Sequence, residues 1–436
     1  MLNRTALASG IALAAASAVF ATNARVESMG ENADYYMDDV NIWKNPADAN
    51  LYPNYLLGEL GQKAGIGDST SSYKALSRYN SDPTSPWFGA VFAKSFAPDG
   101  SGAGRYPQFI IGGALNRDDE WLSYMPSAIQ IKTNAQRAVT GAVNGVTTTN
   151  YDLTDFPVKF DGILGFADAN GNLFGLKTYL AYSDSTNGAR EVQTVLNTYT
   201  LGANLPFGSQ YSLEADATLG FLSLDVSDAD AAGSQPRSYS SGLTPSFGGD
   251  ARLFIDARPI PIVFVPAASF RYVNAPEQTI TNFRVGSGAN VSLDRGFFWL
   301  GVDYFYSSNE VFATDSTYAT VSDSVSSTTL SDNGIRVSFG IERNIWTDWF
   351  VIRVGGQKVI NFHKANGPWQ NYSAMSTNPD INADNNDLVN FGFGLNIEDK
   401  LKVDAVVAKD ILFTGGNLLG GPVDHVLSRI SASYSF

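Results

Sequence analysis

Hydrophobic and polar residues alternate along most of this chain with a period of two. From Gly334 to Asn344, Ile335, Val337, Phe339 and Ile341 alternate with Arg336, Ser338, Gly340 and Glu342. From Leu388 to Ile397, Val389, Phe391, Phe393, Leu395 and Ile397 alternate with Asn390, Gly392, Gly394 and Asn396. Successive side chains of a strand point to opposite faces, so each run reads as a strand between apolar and wet surroundings. Arg or Lys at a bilayer midplane costs about 2–4 kcal/mol, whereas a charge facing a barrel lumen is tolerated. The rule therefore turns Lys159, Asp161, Lys177, Glu214, Asp216, Asp250, Arg252, Asp256, Arg271, Arg284, Asp303, Arg353, Lys402 and Asp404 inward and the apolar set toward lipid. Lys358 and Lys409 break the alternation and are expected at an interface, where long side chains snorkel, or beside a bulge.

The strands are joined in hairpins with a tight turn at one end and a longer polar loop at the other. Val158 to Ala167 runs into Asp168-Ala169-Asn170-Gly171-Asn172 and returns from Leu173, and Asn170-Gly171 is a strong hairpin signal. Further short turns are expected at residues 206–209, 258–261, 294–296, 345–348 and 398–400, and long Ser-, Thr-, Asp-, Asn- and Gly-rich loops at 226–245, 309–333, 363–386 and 413–425. Short periplasmic turns with long external loops are the bacterial barrel pattern. Strands before Val158 are weaker, at 51–61, 87–96 and 108–115, and residues 116–155 could be loop, short helix or another pair. Closure with both termini in the periplasm needs an even number, and the expectation is an all-β transmembrane antiparallel barrel of about 14 (14–16) strands. Trp346, Trp349, Phe350, Tyr211, Trp87, Tyr304 and Tyr306 lie near strand ends and are expected in the headgroup girdles.

Composition changes this picture little. A mean hydropathy of −0.09 is compatible with a barrel, because only alternate residues meet lipid. The 436 residues suit one large barrel over 50–436, and a net charge of −14 argues against nucleic-acid partners. With no cysteine there is no thiol chemistry, and with only His363 and His425, both in expected loops, no metal or triad site is expected. Arg4 followed by the apolar run Ala6 to Phe20 reads as a secretory signal over 1–21.

Two resemblances to known proteins extend the reading. The final run, in which Ile430, Ala432, Tyr434 and Phe436 alternate with Arg429 and serines, resembles the assembly signal of bacterial outer-membrane barrels. That implies the barrel-assembly machinery and outer-membrane lipids as partners, with Tyr434 and Phe436 as the signal. Met29-Gly30, the acidic pair Asp38-Asp39 and Asn45-Pro46-Ala47 resemble, in type and spacing, the N-terminal region of the FadL-like long-chain fatty acid transporters and their relatives. In that family the segment, here 22–49, plugs the lumen as a hatch, and ligands leave by a kink in one wall strand. Asp48 stands where the family more often has Gly. From the residues alone, Asp38-Asp39 also reads as a helix cap and Asn45-Pro46 as an ordinary turn.

Little else carries chemistry. No phosphate-binding glycine pattern and no catalytic carboxylate or Ser-His site of an outer-membrane lipase or protease is recognisable, so neither enzymatic activity nor a cofactor is expected. Glu214 and Asp216 are expected to brace against facing Arg and Lys. Inward apolar positions on two strands, Phe297, Trp299 and Phe305 with Val263, Val265 and Ala267, stand beside Arg271 and Arg284. Such a patch suits an amphipathic molecule with an anionic head. The expectation is a Gram-negative outer-membrane channel for hydrophobic or amphipathic small molecules. A general or weakly selective porin for small polar solutes and a structural or secretion-associated barrel are the alternatives.

Overall fold

A computed structural model of the chain describes residues 23–61, 86–96, 107–124, 128–134, 146–152, 156–187, 190–228, 237–240, 242–275, 278–313, 326–345, 347–362, 364–366, 388–398, 400–407 and 427–436. Sixteen antiparallel strands close into one barrel. In chain order they are β1 Tyr55–Gly61, β2 Trp87–Ser95, β3 Gln108–Leu115, β4 Val158–Ala167, β5 Leu173–Asn187, β6 Arg190–Phe207, β7 Tyr211–Asp228 and β8 Thr244–Asp256. They continue as β9 Ile262–Ala275, β10 Gln278–Leu293, β11 Gly296–Ala313, β12 Ser326–Asn344, β13 Phe350–Asn361, β14 Leu388–Ile397, β15 Leu401–Val407 and β16 Leu427–Ser435. Each strand pairs with its chain neighbours. β1 closes the ring by pairing β2 on one side and β16 on the other, with Tyr55 opposite Ser435 and Gly61 opposite Arg429. Residues 237–240 pair with the far end of β7 and 364–366 with that of β12, so both extend existing positions in the wall. A separate two-stranded sheet joins Ala128–Asn134 to Val146–Asp152.

Burial along the strands is inside out for a soluble fold. On β4, Lys159, Asp161 and Ile163 are buried while Val158, Phe160, Leu164 and Phe166 are exposed; β11 likewise buries Trp299 and Asp303 and exposes Leu300, Val302 and Tyr304. A continuous exterior of Phe, Leu, Val and Ile around buried charges is stable only where lipid covers it. The barrel is an outer-membrane protein. Of the charges expected inward, Lys159, Asp161, Lys177, Glu214, Arg271, Asp303, Arg353, Lys402 and Asp404 are buried, and Asp216, Asp250, Arg252, Asp256 and Arg284 are half-buried. Lys358 lies exposed near the end of β13.

The short turns and β1's start share one rim. There the Phe436 amide donates to the Asn54 carbonyl at 3.1 Å, and its ring lies 5.9 Å from Phe92 and stacks on Tyr434. At the β4–β5 turn only Gly171 takes a positive φ, of 88°, and Asp168 accepts from the Asn170 and Asn172 amides at 2.8 Å. The Asp side chain thus shapes a longer turn than the two-residue form that Asn-Gly most strongly favours.

Of the forms left open for residues 116–155, a short helical turn over Glu120–Tyr124 and a strand pair are both present, and residues 117–124 turn inward. Two expectations change. β11 and β12 stay paired out to Ala313 opposite Ser326, well into the run read as loop, because strands that have left the membrane need no apolar face. Trp87 is not a girdle residue: it points inward, 8% exposed, and meets Trp43 edge-on at 5.8 Å. Trp349, Tyr211, Tyr304 and Tyr306 are exposed on the outer face. The 1–21 segment, Trp346, His363, Lys409 and His425 lie outside the described residues.

Candidate functional site: the filled lumen

Residues 23–52 occupy the lumen. Helix α1, Asn23–Ser28, is followed by a reversal in which Gly30 (φ 93°) and Glu31 (φ 60°) take left-handed backbone. Two 3-10 turns follow, Asp39–Trp43 and Pro46–Leu51, and the chain then enters β1. The acidic pair and the Asn-Pro-Ala run do local work. Asp38 caps the first turn by accepting from the Val40 amide at 3.1 Å, and Asn45 caps the second by accepting from Ala47 at 3.1 Å.

The same residues tie the segment to the wall. Arg25 makes a two-pronged contact with Glu342, Nε to Oε2 at 2.7 Å and Nη2 to Oε1 at 3.1 Å, and donates to Asp38 at 2.8 Å. Glu342 also accepts from Arg353, which donates onward to Asp404 at 2.6 Å. Asp39 accepts from the Tyr55 hydroxyl, and Tyr35 donates to Asp303. Asn45 donates to the Ala203 carbonyl at 3.1 Å, and Asp48 takes Asn204 at 3.1 Å and Arg252 at 3.3 Å. These charges are affordable in the interior because each meets opposite charge or a donor.

Glycines on the inner face make the seat. A Cβ on Gly288 or Gly301 would lie 2.4 or 2.3 Å from the Tyr35 ring, one on Gly355 2.1 Å from the Met29 backbone, and one on Gly175 2.2 Å from Pro46. Side chains there would expel the segment. Burial pushes the Asp38 carboxyl up to about 6, against the pull of Arg25, and with Asp38 alongside pushes Asp39 well above the usual carboxylate range. Burial works the same way on Asp34, but Arg284 and Lys44 outweigh it and hold that carboxyl well below the usual range.

A second layer comes from residues 117–124. Arg117 grips Asp161 with two bonds of 2.8 Å, reaches Asp119 at 2.6 Å and lies 4.8 Å over the Trp43 ring. Lys177 joins the layers by donating to Asp119 at 2.8 Å and to the Trp43 carbonyl. Glu120 accepts from Arg271 Nε at 2.9 Å.

The expected ligand-binding residues fall into three places. Phe297 and Trp299 come together under the N-terminal segment, with Tyr36 centred 5.6 Å from Phe297 and 5.4 Å from Trp299. Phe305 lies further along β11, packed beside Gly334. Arg271 is paired with Glu120 and Asp250, and Arg284 with Asp34. Arg25, Tyr35, Tyr36, Arg117, Asp119 and Trp121 take part in filling the lumen and were not recognisable from their sequence context. The inward glycines of β10 and β11, Gly286, Gly288 and Gly301, were the available signal.

A cleft lies beside the segment, lined by Asp34, Asn41, Lys44 and Asn45 and by Glu214, Asp216, Asp250, Ala251, Arg252, Ala267, Ala268 and Arg284 of β7–β10. It adjoins a flaw in the wall. β8 and β9 keep one register, Arg252 opposite Ala267 and Ile255 opposite Phe264, but Leu253 and Phe254 make no ladder pair with Val265 and Pro266. Pro266 has no N–H to give. Among the described residues no cluster of three or more His, Cys, Asp or Glu side chains is placed to hold a metal ion.

No protein-family model and no curated protein matches the chain. Among solved structures it is similar to the CymD monoaromatic hydrocarbon channel, at 9% identity over 96% of this chain and 98% of that one with a TM-score of 0.34. It is also similar to the Pseudomonas putida toluene transporter TodX, at 12% identity over 96% and 99% with a TM-score of 0.29. CdiB from Escherichia coli matches at 9% identity over 87% of this chain, TM-score 0.35; the chain spans 63% of CdiB, less than two thirds of its length. At these values no neighbour's ligand carries over by similarity.

Proposed function

We propose that this chain is a gated transporter that admits small hydrophobic or amphipathic molecules across the outer membrane. In this reading residues 22–49 act as a hatch. The observation that carries the reading is that residues 23–52 fill the lumen through reversible polar contacts and close packing on glycines, with no covalent tie beyond the chain itself. A general porin needs open water through its lumen. A passage for apolar solutes needs instead a dry, closable route with an apolar wall and few fixed polar groups. Phe297, Trp299, Tyr35 and Tyr36 supply such a wall, and the unpaired stretch beside Pro266 is the weakest line for sideways release toward lipid.

The test uses the whole protein. Cells expressing it should take up N-phenylnaphthylamine, an apolar dye that fluoresces on reaching the inner leaflet, faster than cells without it. Liposomes carrying it should swell slowly in arabinose. Fast arabinose swelling with unchanged dye entry would replace this reading by the porin one.

A further inference from the structure

We infer that residues 117–124 form a second, outer gate and that Lys177 couples it to the N-terminal segment, so that lifting the outer layer loosens the inner one; this rests on the hatch reading above. The stretch leaves the wall after Leu115 of β3, and the chain rejoins it at Val158 of β4, on the rim opposite the short turns. In bacterial barrels that rim is the external one. The seat under the gate is apolar. Tyr179, Ala181, Leu196, Leu222, Val273 and Ile280 face inward on the far halves of β5–β7, β9 and β10, are fully buried, and pack with Trp121 and Tyr124. Lifting the turn would give this wall to water, so burial of the two rings holds the gate down.

Three successive inward positions of β5 meet first one layer and then the other. A Cβ on Gly175 would strike Pro46 of the N-terminal segment, and Tyr179 donates to the Arg117 carbonyl at 3.1 Å. Lys177, between them, donates to both layers: to the Trp43 carbonyl and to Asp119 at 2.8 Å. When the stretch lifts, Arg117 leaves Asp161 and the Trp43 ring, and Asp119 leaves Lys177. One base and one acid then stay behind on the wall, both buried in the closed state. Two such charges left apart are costly. Asp161 stands opposite Tyr179, two positions along from Lys177. A diagonal of that kind spans about 7–8 Å, within reach of a long side chain. Lys177 therefore swings to Asp161 and gives up the Trp43 carbonyl, which frees the N-terminal segment at that point.

The experiment uses two single-thiol forms of the full-length protein in nanodiscs. Ala181→Cys reports on the gate and Ser28→Cys on the N-terminal segment, both at fully buried positions of a chain with no native cysteine. Maleimide labelling is followed with and without Trp121→Ala, and heat-modifiable migration checks that the barrel is folded; Trp121→Leu takes its place if Trp121→Ala does not assemble. Removing the ring should speed labelling at both positions about tenfold or more. In Lys177→Met, which keeps the stem and removes the charge, the same change should still speed labelling at position 181 but leave position 28 as it was in Lys177→Met alone. Faster labelling at position 181 alone, unchanged labelling at position 181, or an undiminished gain at position 28 in Lys177→Met overturns the inference. The hatch reading fails separately, if labelling at position 28 does not respond to Arg25→Ala.

Discussion

Removing the Arg25 side chain should unseat the N-terminal segment while leaving the barrel closed. Arg25 is 2% exposed and contacts both Glu342 and Asp38. In Arg25→Ala, Glu342 keeps Arg353, but Asp38 and its neighbour Asp39 lose their nearest positive charge inside the lumen. Breaking a buried pair by removing one partner costs about 3–5 kcal/mol, because the other charge stays buried and uncompensated. Every 1.4 kcal/mol is about a factor of ten, so the released population should rise about a hundred- to several-thousand-fold. The chain has no native cysteine, so Ser28→Cys places a single thiol at a fully buried position of α1. Where reclosing is fast, maleimide labels that thiol at a rate proportional to the open population. Labelling should therefore accelerate by a similar factor when Arg25→Ala is added, with heat-modifiable migration unchanged. Equal labelling rates with and without Arg25 would refute the idea that this ion cluster holds the segment.

Gly301→Ala should have a similar effect by a different route: its new Cβ would meet the Tyr35 ring, so thiol labelling at position 28 should rise while the outer wall stays intact. The Asp38 carboxyl is raised in the docked segment, so docking binds a proton more tightly than release does, and its contribution to docking is full at low pH and lost as pH rises to about 6. Asp34 is depressed and acts oppositely, but only below the ordinary carboxylate range. Hydrogen exchange of the α1 amides, corrected for intrinsic rates, should thus speed up as pH rises from about 4 through 6, and Asp39, raised further, extends the same trend above that range. Pro266→Ala restores an N–H at the gap between β8 and β9, worth about 0.5–1.5 kcal/mol if it pairs. It should slow exchange at Leu253 and Phe254 and reduce N-phenylnaphthylamine entry.

The barrel was legible because alternation is a local signal: lipid outside and charge inside force it on each strand separately, as on β12 and β14. The content of the lumen was legible only in part. Trp87 sits beside a strand end like a girdle residue, but Phe88 and Phe92 take the outer face of β2, which turns Trp87 inward against Trp43. Arg117, Asp119 and Trp121 belong to a stretch with neither period, so nothing local shows that it folds into the lumen against Asp161, Lys177 and Arg271.

The central claim is that residues 23–52 close the barrel, and single-channel conductance in planar bilayers tests it most directly. The intact protein should show small conductance. Deletion of residues 23–52, in protein that still migrates as a folded barrel, should raise it stepwise, with the layer at 117–124 keeping it below that of an empty barrel of this size. Large steady conductance from the intact protein, or no change on deletion, would contradict the account.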